Sequence, residues 1–176
     1  MPHLFLTGDR RTGKSALIRA FLLRSGLSAD GFMTYWEGDD DGGRCLFLSE
    51  YDTDPSRSGR RFVVARRPAG DGSLVAPDAV AFDTHGARIV AASGRRDVTV
   101  MDELGFLESG AAGFQAAVLA RLATPIPVIG VLRARHTPFL DVVVSRPDVR
   151  VVVVTAENRG TVVDALMAAW SPVAGA

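Results

Sequence analysis

Residues 8–15 read Gly8-Asp9-Arg10-Arg11-Thr12-Gly13-Lys14-Ser15. The G-x-x-x-x-G-K-S spacing is that of a loop that holds phosphate groups. Two glycines let the backbone wrap closely and turn its N–H groups inward. A helix opening at Gly13 adds the positive end of its dipole to the same spot. Lys14 supplies a slim cation for the outer phosphates, and the Ser15 hydroxyl offers Mg²⁺ a hard oxygen. The binding stretch therefore runs from Gly8 to Ala16. Among the 20 basic residues Lys14 is the one lysine. Arginine serves everywhere else, and a planar guanidinium is a poor replacement for a point charge at this position.

A second set of residues fits the same chemistry. Val98-Thr99-Val100-Met101 is an apolar strand that runs into Asp102-Glu103. An aspartate at the C-terminal end of a buried strand reaches the Mg²⁺ shell beside a phosphate loop, the arrangement known as Walker B. A glutamate one residue further orients an attacking water or accepts its proton. Asp102 is thus the candidate metal ligand beside Ser15, and Glu103 the candidate for the water. Arg133 and Arg135 follow the apolar strand 127–132, at the end of a parallel sheet that faces the nucleotide. Arg133 is the candidate for neutralising charge that develops on a transferring phosphoryl group. Arg159, after the last strand, is a candidate contact to the base or the phosphates. His136 and Thr137 share a loop with Arg135 and carry less weight.

These side chains need a scaffold with parallel strands. Buried strands at 3–7, 97–103, 127–132 and 150–155 alternate with helices at 14–24, 109–123, 138–145 and 161–170, with Ser109 as a possible cap of the second of these. That alternation predicts an α/β chain with a mostly parallel sheet covered on both faces. Residues 31–37 and 44–48 read as an antiparallel hairpin that extends one edge. Its turn holds Asp39, Asp40 and Asp41, which suit a solvated turn better than a calcium loop because the closing glutamate is lacking. Residues 52–60 read as a loop and 61–66 as a short strand. Five arginines (Arg57, Arg60, Arg61, Arg66, Arg67) cluster there, as charge that protects a sheet edge or, less favoured, as a phosphate-facing patch. A connector spans 68–78, and 78–93 reads as a helix interrupted by Gly86. Cys45 reads as a small packing residue of the hairpin.

Composition narrows the function classes. The chain has 176 residues, the size of one domain, with 47% hydrophobic and 23% charged residues. Formal net charge is zero. This argues against nucleic-acid binding by bulk electrostatics, although a local basic patch or a protein partner remains compatible. A single cysteine excludes an internal disulfide and suits a reducing cytoplasm. No signal peptide precedes the first strand, and no apolar run is long enough to span a bilayer.

Taken together, these residues resemble the thermophile-type or cancer-related nucleoside-triphosphatase family. Thr7-Gly8 through Gly13-Lys14-Ser15 is similar to its phosphate loop. Gly31-Phe32-Met33-Thr34, then Gly42-Gly43-Arg44 with Phe47, resemble its hairpin strands. Asp102-Glu103-Leu104-Gly105 with Glu108 resembles its acidic segment, and Glu157-Asn158-Arg159 the segment before its last helix. The chain departs from the pattern at Trp36, where an acid is usual, at Leu46 in place of a glycine, and at Phe106 in place of a lysine. The resemblance implies a three-layer P-loop NTPase fold over residues 1–176. It also implies a monomer and slow, Mg²⁺-dependent hydrolysis of several nucleoside triphosphates to diphosphate and phosphate. Two other readings stay open, a small-molecule or nucleotide kinase and a nucleotide-dependent switch or adaptor that needs a partner. The acids at 102 and 103 favour water activation over the kinase reading.

Overall fold

The computed structural model describes residues 2–38, 42–51, 59–70 and 77–170. The aspartates of the hairpin turn, most of the 52–60 loop with Arg57, and the middle of the 68–78 connector lie outside these residues. Seven strands form one sheet. They are β1 (His3–Thr7), β2 (Ala29–Gly38), β3 (Arg44–Glu50), β4 (Arg61–Arg67), β5 (Val98–Leu104), β6 (Val128–Leu132) and β7 (Val149–Val153), in the spatial order β4-β3-β2-β5-β6-β1-β7. β1 lies parallel to both β6 and β7, and β5 lies parallel to both β6 and β2. The antiparallel part is a three-stranded ribbon, β2-β3-β4, rather than a hairpin alone. β2 belongs to both parts. Residues Ala29–Met33 pair with Val98–Asp102 of β5, whereas Thr34 to Gly38 pair only with β3. The ribbon therefore stands beyond the C-terminal end of the parallel strands.

Helices cover both faces. On one face, α1 (Lys14–Ser25) and α6 (Val162–Trp170) bury Ile18, Phe21, Leu22 and Leu166 against Leu4, Leu6, Ile129 and Val131. Phe21 and Trp170 meet edge to face, with centroids 5.1 Å apart. On the other face lie α2 (Ala79–Ala81), a π-helical turn (Phe82–Gly86), α3 (Ala87–Ala92), α4 (Ala112–Leu122) and α5 (Pro138–Val144). Their Phe82, Phe114, Val118 and Leu140 pack with Phe5, Phe32, Met101 and Leu104. Alternate residues of the buried strands thus feed two cores, which is why these strands read as unbroken apolar runs. His3 ties the start of β1 in place. It is buried, its Nε2 lies 3.0 Å from the Leu122 carbonyl, and the Val128 N–H donates to Nδ1 at 3.0 Å. Burial, its largest influence, lowers the pKa of His3, consistent with a neutral ring that both donates and accepts.

Three expectations change. Gly86 does not end its helix, although the α-helical spacing gives way to a π-helical turn that finishes at Gly86. The chain passes through it in right-handed helical conformation, and a Cβ there would lie 2.7 Å from the ring of Phe114, so the glycine admits α4 to close contact. Ser109 does not cap α4. That helix starts at Ala112, and its Phe114 N–H is taken by the Asp83 carboxylate at 2.8 Å, from a neighbouring element. β7 is not buried on both sides. It is the outer strand beside β1, and Val151 and Val153 are 40% and 57% exposed. β4 occupies the opposite edge, in keeping with arginines that guard an unpaired strand.

Candidate functional site

The loop after β1 folds as its glycines require. Gly8 has φ 128°, and a Cβ would lie 2.3 Å from the Val154 carbonyl oxygen. Gly13 has φ 86° and forms the N-cap of α1. The guanidinium of Arg159 covers it so closely that a Cβ would lie 3.1 Å from Nη2. Arg159, predicted near the base or the phosphates, thus sits against the phosphate loop. Lys14 Nζ donates to the carbonyls of Gly8 and Asp9 at 2.9 and 2.6 Å and to Thr12 Oγ1 at 3.2 Å, which holds the ammonium over the loop. Burial pulls its pKa down, while Glu103, Asp102 and Asp9 oppose that pull.

β5 delivers the acids to the same place. Asp102 is 7% exposed, and burial pushes its pKa up to about 6 against a hydrogen bond from the Ser15 side chain. Ser15 and Asp102 therefore present two hard oxygens side by side, a donor set that suits Mg²⁺ together with phosphate oxygens. A costly buried carboxylate next to a hydroxyl also gains from a nearby cation. Among the described residues no cluster of three or more His, Cys, Asp or Glu is placed to hold a metal by side chains alone. Glu103 comes next in the strand, with Oε1 3.4 Å from Arg133 Nε. Arg133 follows β6, one strand over, and its N–H bonds the Leu104 carbonyl at 2.9 Å. Its guanidinium lies over the Phe106 ring at 5.1 Å, and Arg135 lies over that ring at 4.5 Å.

A cavity of about 870 Å³ joins these groups. Gly8, Arg10, Arg11, Gly13, Lys14, Ser15 and Ala16 line it together with Glu103 and Arg133. Its wall also carries Arg19, Trp36, Arg44 and Arg67. Six arginines and one lysine line it against a single carboxylate, which gives the cavity a positive potential. A smaller cavity of about 190 Å³ adjoins Asp102, Glu103, Glu108 and Thr34.

The resemblance marks Thr34 and Glu108 without a role for either, and Arg19 lay outside the sequence reading. Thr34 Oγ1 donates to the Asp102 carbonyl at 3.5 Å and accepts the Glu103 N–H at 3.3 Å, bridging the two acids from β2. Glu108 is buried, accepts the Gly105 N–H, and has its pKa pushed up to about 7 mainly by burial. Arg19 stands one helical turn beyond Ser15, a spacing that puts both on one face of α1. Arg67 was grouped with edge charge, yet it lines the cavity. Not every candidate joins the site. Thr137 caps α5 by accepting the Leu140 N–H at 3.1 Å, exposed His136 pairs with Asp141 at 3.1 Å, and Cys45 is buried in the ribbon.

The profile of the NTPase family matches residues 3–167. The chain belongs to the NTPase family. A solved structure of a human cancer-related nucleoside triphosphatase superposes on this NTPase with a TM-score of 0.69 at 28% identity, over 96% of this chain and 97% of the other. THEP1 from the hyperthermophile Aquifex aeolicus superposes with a TM-score of 0.72 at 20% identity, over 98% of this chain and 100% of the other, and bears on the fold alone. No curated protein matches the sequence. Membership in the NTPase family supports nucleoside-triphosphate hydrolysis in general terms. Among the described residues no helix of this NTPase is long and apolar enough to cross a membrane.

Proposed function

We propose that the chain is a Mg²⁺-dependent nucleoside-triphosphatase of broad base specificity, acting as a single-domain cytoplasmic monomer. The observation that carries this reading is the convergence of Lys14, Ser15, Glu103 and Arg133 on one cationic cavity, with the Asp102 carboxylate bonded to Ser15 beside it. In this reading the backbone of residues 8–16 and Lys14 bind the β- and γ-phosphates, and Arg159 closes the loop from above. Ser15 and Asp102 would hold Mg²⁺, which would supply charge neutralisation to the phosphate oxygens. Glu103 orients a water for in-line attack on the γ-phosphorus and takes up its proton as the bond to the β-bridging oxygen breaks. Arg133 fixes the Glu103 carboxylate and offsets charge on the departing phosphoryl oxygens. The products are a nucleoside diphosphate and inorganic phosphate.

Glu103→Gln separates binding from chemistry. The amide keeps the shape and loses the base. The variant is expected to bind a Mg²⁺–nucleotide as the parent does and to lose roughly a hundredfold in turnover. Wild-type turnover by this variant would assign the water to another group. Phosphate release with no acceptor present distinguishes this reading from a kinase, and a large rate increase on adding a partner would favour a switch.

A further inference from the structure

The cationic cavity extends well past the phosphate loop. Along the C-terminal edge of the sheet stand, in order, the loop after β1, Arg133 after β6, the acids of β5, and then the ribbon with Trp36, Arg44 and Arg67. β1 and β2 are three strand steps apart, roughly 14 Å at the usual spacing. The ribbon residues lie toward the β2-β3-β4 side of the cavity and Lys14 toward the β1 side, while Trp36 also shares the smaller cavity with Ser15 and the acids.

The ribbon side gathers hydrogen-bond donors and positive charge that an anion would satisfy. Arg44 and Arg67 are direct cross-strand partners of β3 and β4, so both guanidinium groups leave the same face. Like charges placed opposite each other destabilise a sheet. Among the described residues neither forms an ion pair with a carboxylate. Arg67 Nε is buried, and no hydrogen-bond partner meets it among the described residues. A buried donor left this way costs free energy that an acceptor would recover. Trp36, on the neighbouring strand and the same face, holds the pair in place. Arg67 lies over its ring at 5.5 Å, and Arg44 Nη2 donates to its carbonyl at 3.3 Å. Among the described residues this corner pairs two cations with an aromatic ring and no carboxylate.

We propose that Trp36, Arg44 and Arg67 form a second phosphoryl-binding site, which takes the phosphate group of a small organic phosphate while the nucleotide occupies the loop. Two guanidinium forks suit a phosphate dianion better than a carboxylate, because three equatorial oxygens meet donors from two strands. A ligand held there shares the cavity with Glu103 and the phosphate loop, and acts as an effector of turnover. The proposal rests on the loop being the seat of the nucleotide.

The test is calorimetric titration of the full chain saturated with Mg²⁺ and a non-hydrolysable ATP analogue. The probes are ribose 5-phosphate in one arm and inorganic phosphate in the other. One equivalent of ribose 5-phosphate is expected to bind, without displacing the analogue, and at least tenfold more weakly to Arg67→Gln and to Arg44→Gln. Arg44 is exposed, so its variant keeps the test sound if Arg67→Gln folds poorly. Binding of inorganic phosphate alone would show an anion site and overturn the organic-phosphate assignment. Three results overturn the site itself: no binding of either probe at millimolar concentration, equal affinity in both variants, or displacement of the analogue by the probe. The readout is binding, so a protein that binds both ligands yet releases no phosphate contradicts the hydrolytic reading and supports this one.

Discussion

Burying Glu108 has a cost that varies with pH. Its side chain is 3% exposed, and burial raises its pKa from 4.5 to about 7, with the Gly105 N–H and Arg133 opposing and Glu103 reinforcing the rise. A folded-state pKa above the unfolded value means that the folded protein holds the proton more tightly. The stabilisation is fully present below about pH 4.5 and is lost as pH rises through about 7. A shift of that size corresponds to about 3 kcal/mol between the two limits. Glu108→Gln keeps an oxygen for the Gly105 N–H and removes the ionisation. At pH 8 the variant is expected to be more stable than the parent by up to about 3 kcal/mol, roughly 6–12 °C in melting temperature for a domain of this size. The gain should shrink steadily to nothing near pH 4. Urea unfolding of both proteins at pH 4, 5, 6, 7 and 8 measures this, because titrating groups that do not interact with Glu108 cancel in the difference. Parallel stability curves across that range would refute the reasoning, and so would a variant that loses stability at every pH.

Two further substitutions probe the arginine beside the acids. Arg133→Ala removes the partner of Glu103 and a cation that lines the cavity, and should lower kcat by about a hundredfold with a smaller change in KM; a raised KM with kcat unchanged would assign Arg133 to ground-state binding. Phe106→Ala removes the ring under Arg133 and Arg135 and should lower kcat several-fold, an effect that disappears when Arg133 is already alanine, as a double-mutant cycle on initial rates would show.

The phosphate loop and the acidic pair were legible in the sequence because their chemistry is local. Gly8, Gly13, Lys14 and Ser15 act through a backbone turn whose form their own spacing dictates, and Asp102-Glu103 needs only a buried strand to deliver it. Arg159 was legible as a candidate, and its approach to Gly13 follows from β7 lying next to β1. What escaped depends on pairing across the sheet. Arg67 looks like edge charge until β4 is paired with β3, which sets it opposite Arg44. Thr34 is an ordinary strand residue until β2 is laid parallel to β5 and its hydroxyl meets both acids. The β-branched run of β7 has the composition of a central strand, and only the strand order makes it an edge. Ser109 lies within reach of a helix start by sequence, but Asp83, 31 residues away from Phe114, takes the N–H instead.

The central claim is that Lys14 and the acids of β5 act together on a triphosphate with no other protein present. Phosphate release by the purified chain with Mg²⁺ and each of ATP, GTP, CTP and UTP, beside Lys14→Ala, tests it most directly. Release from several nucleotides that stops in the variant and on chelation of the metal is the predicted result. Tight nucleotide binding without release, or release that persists in Lys14→Ala, would contradict it.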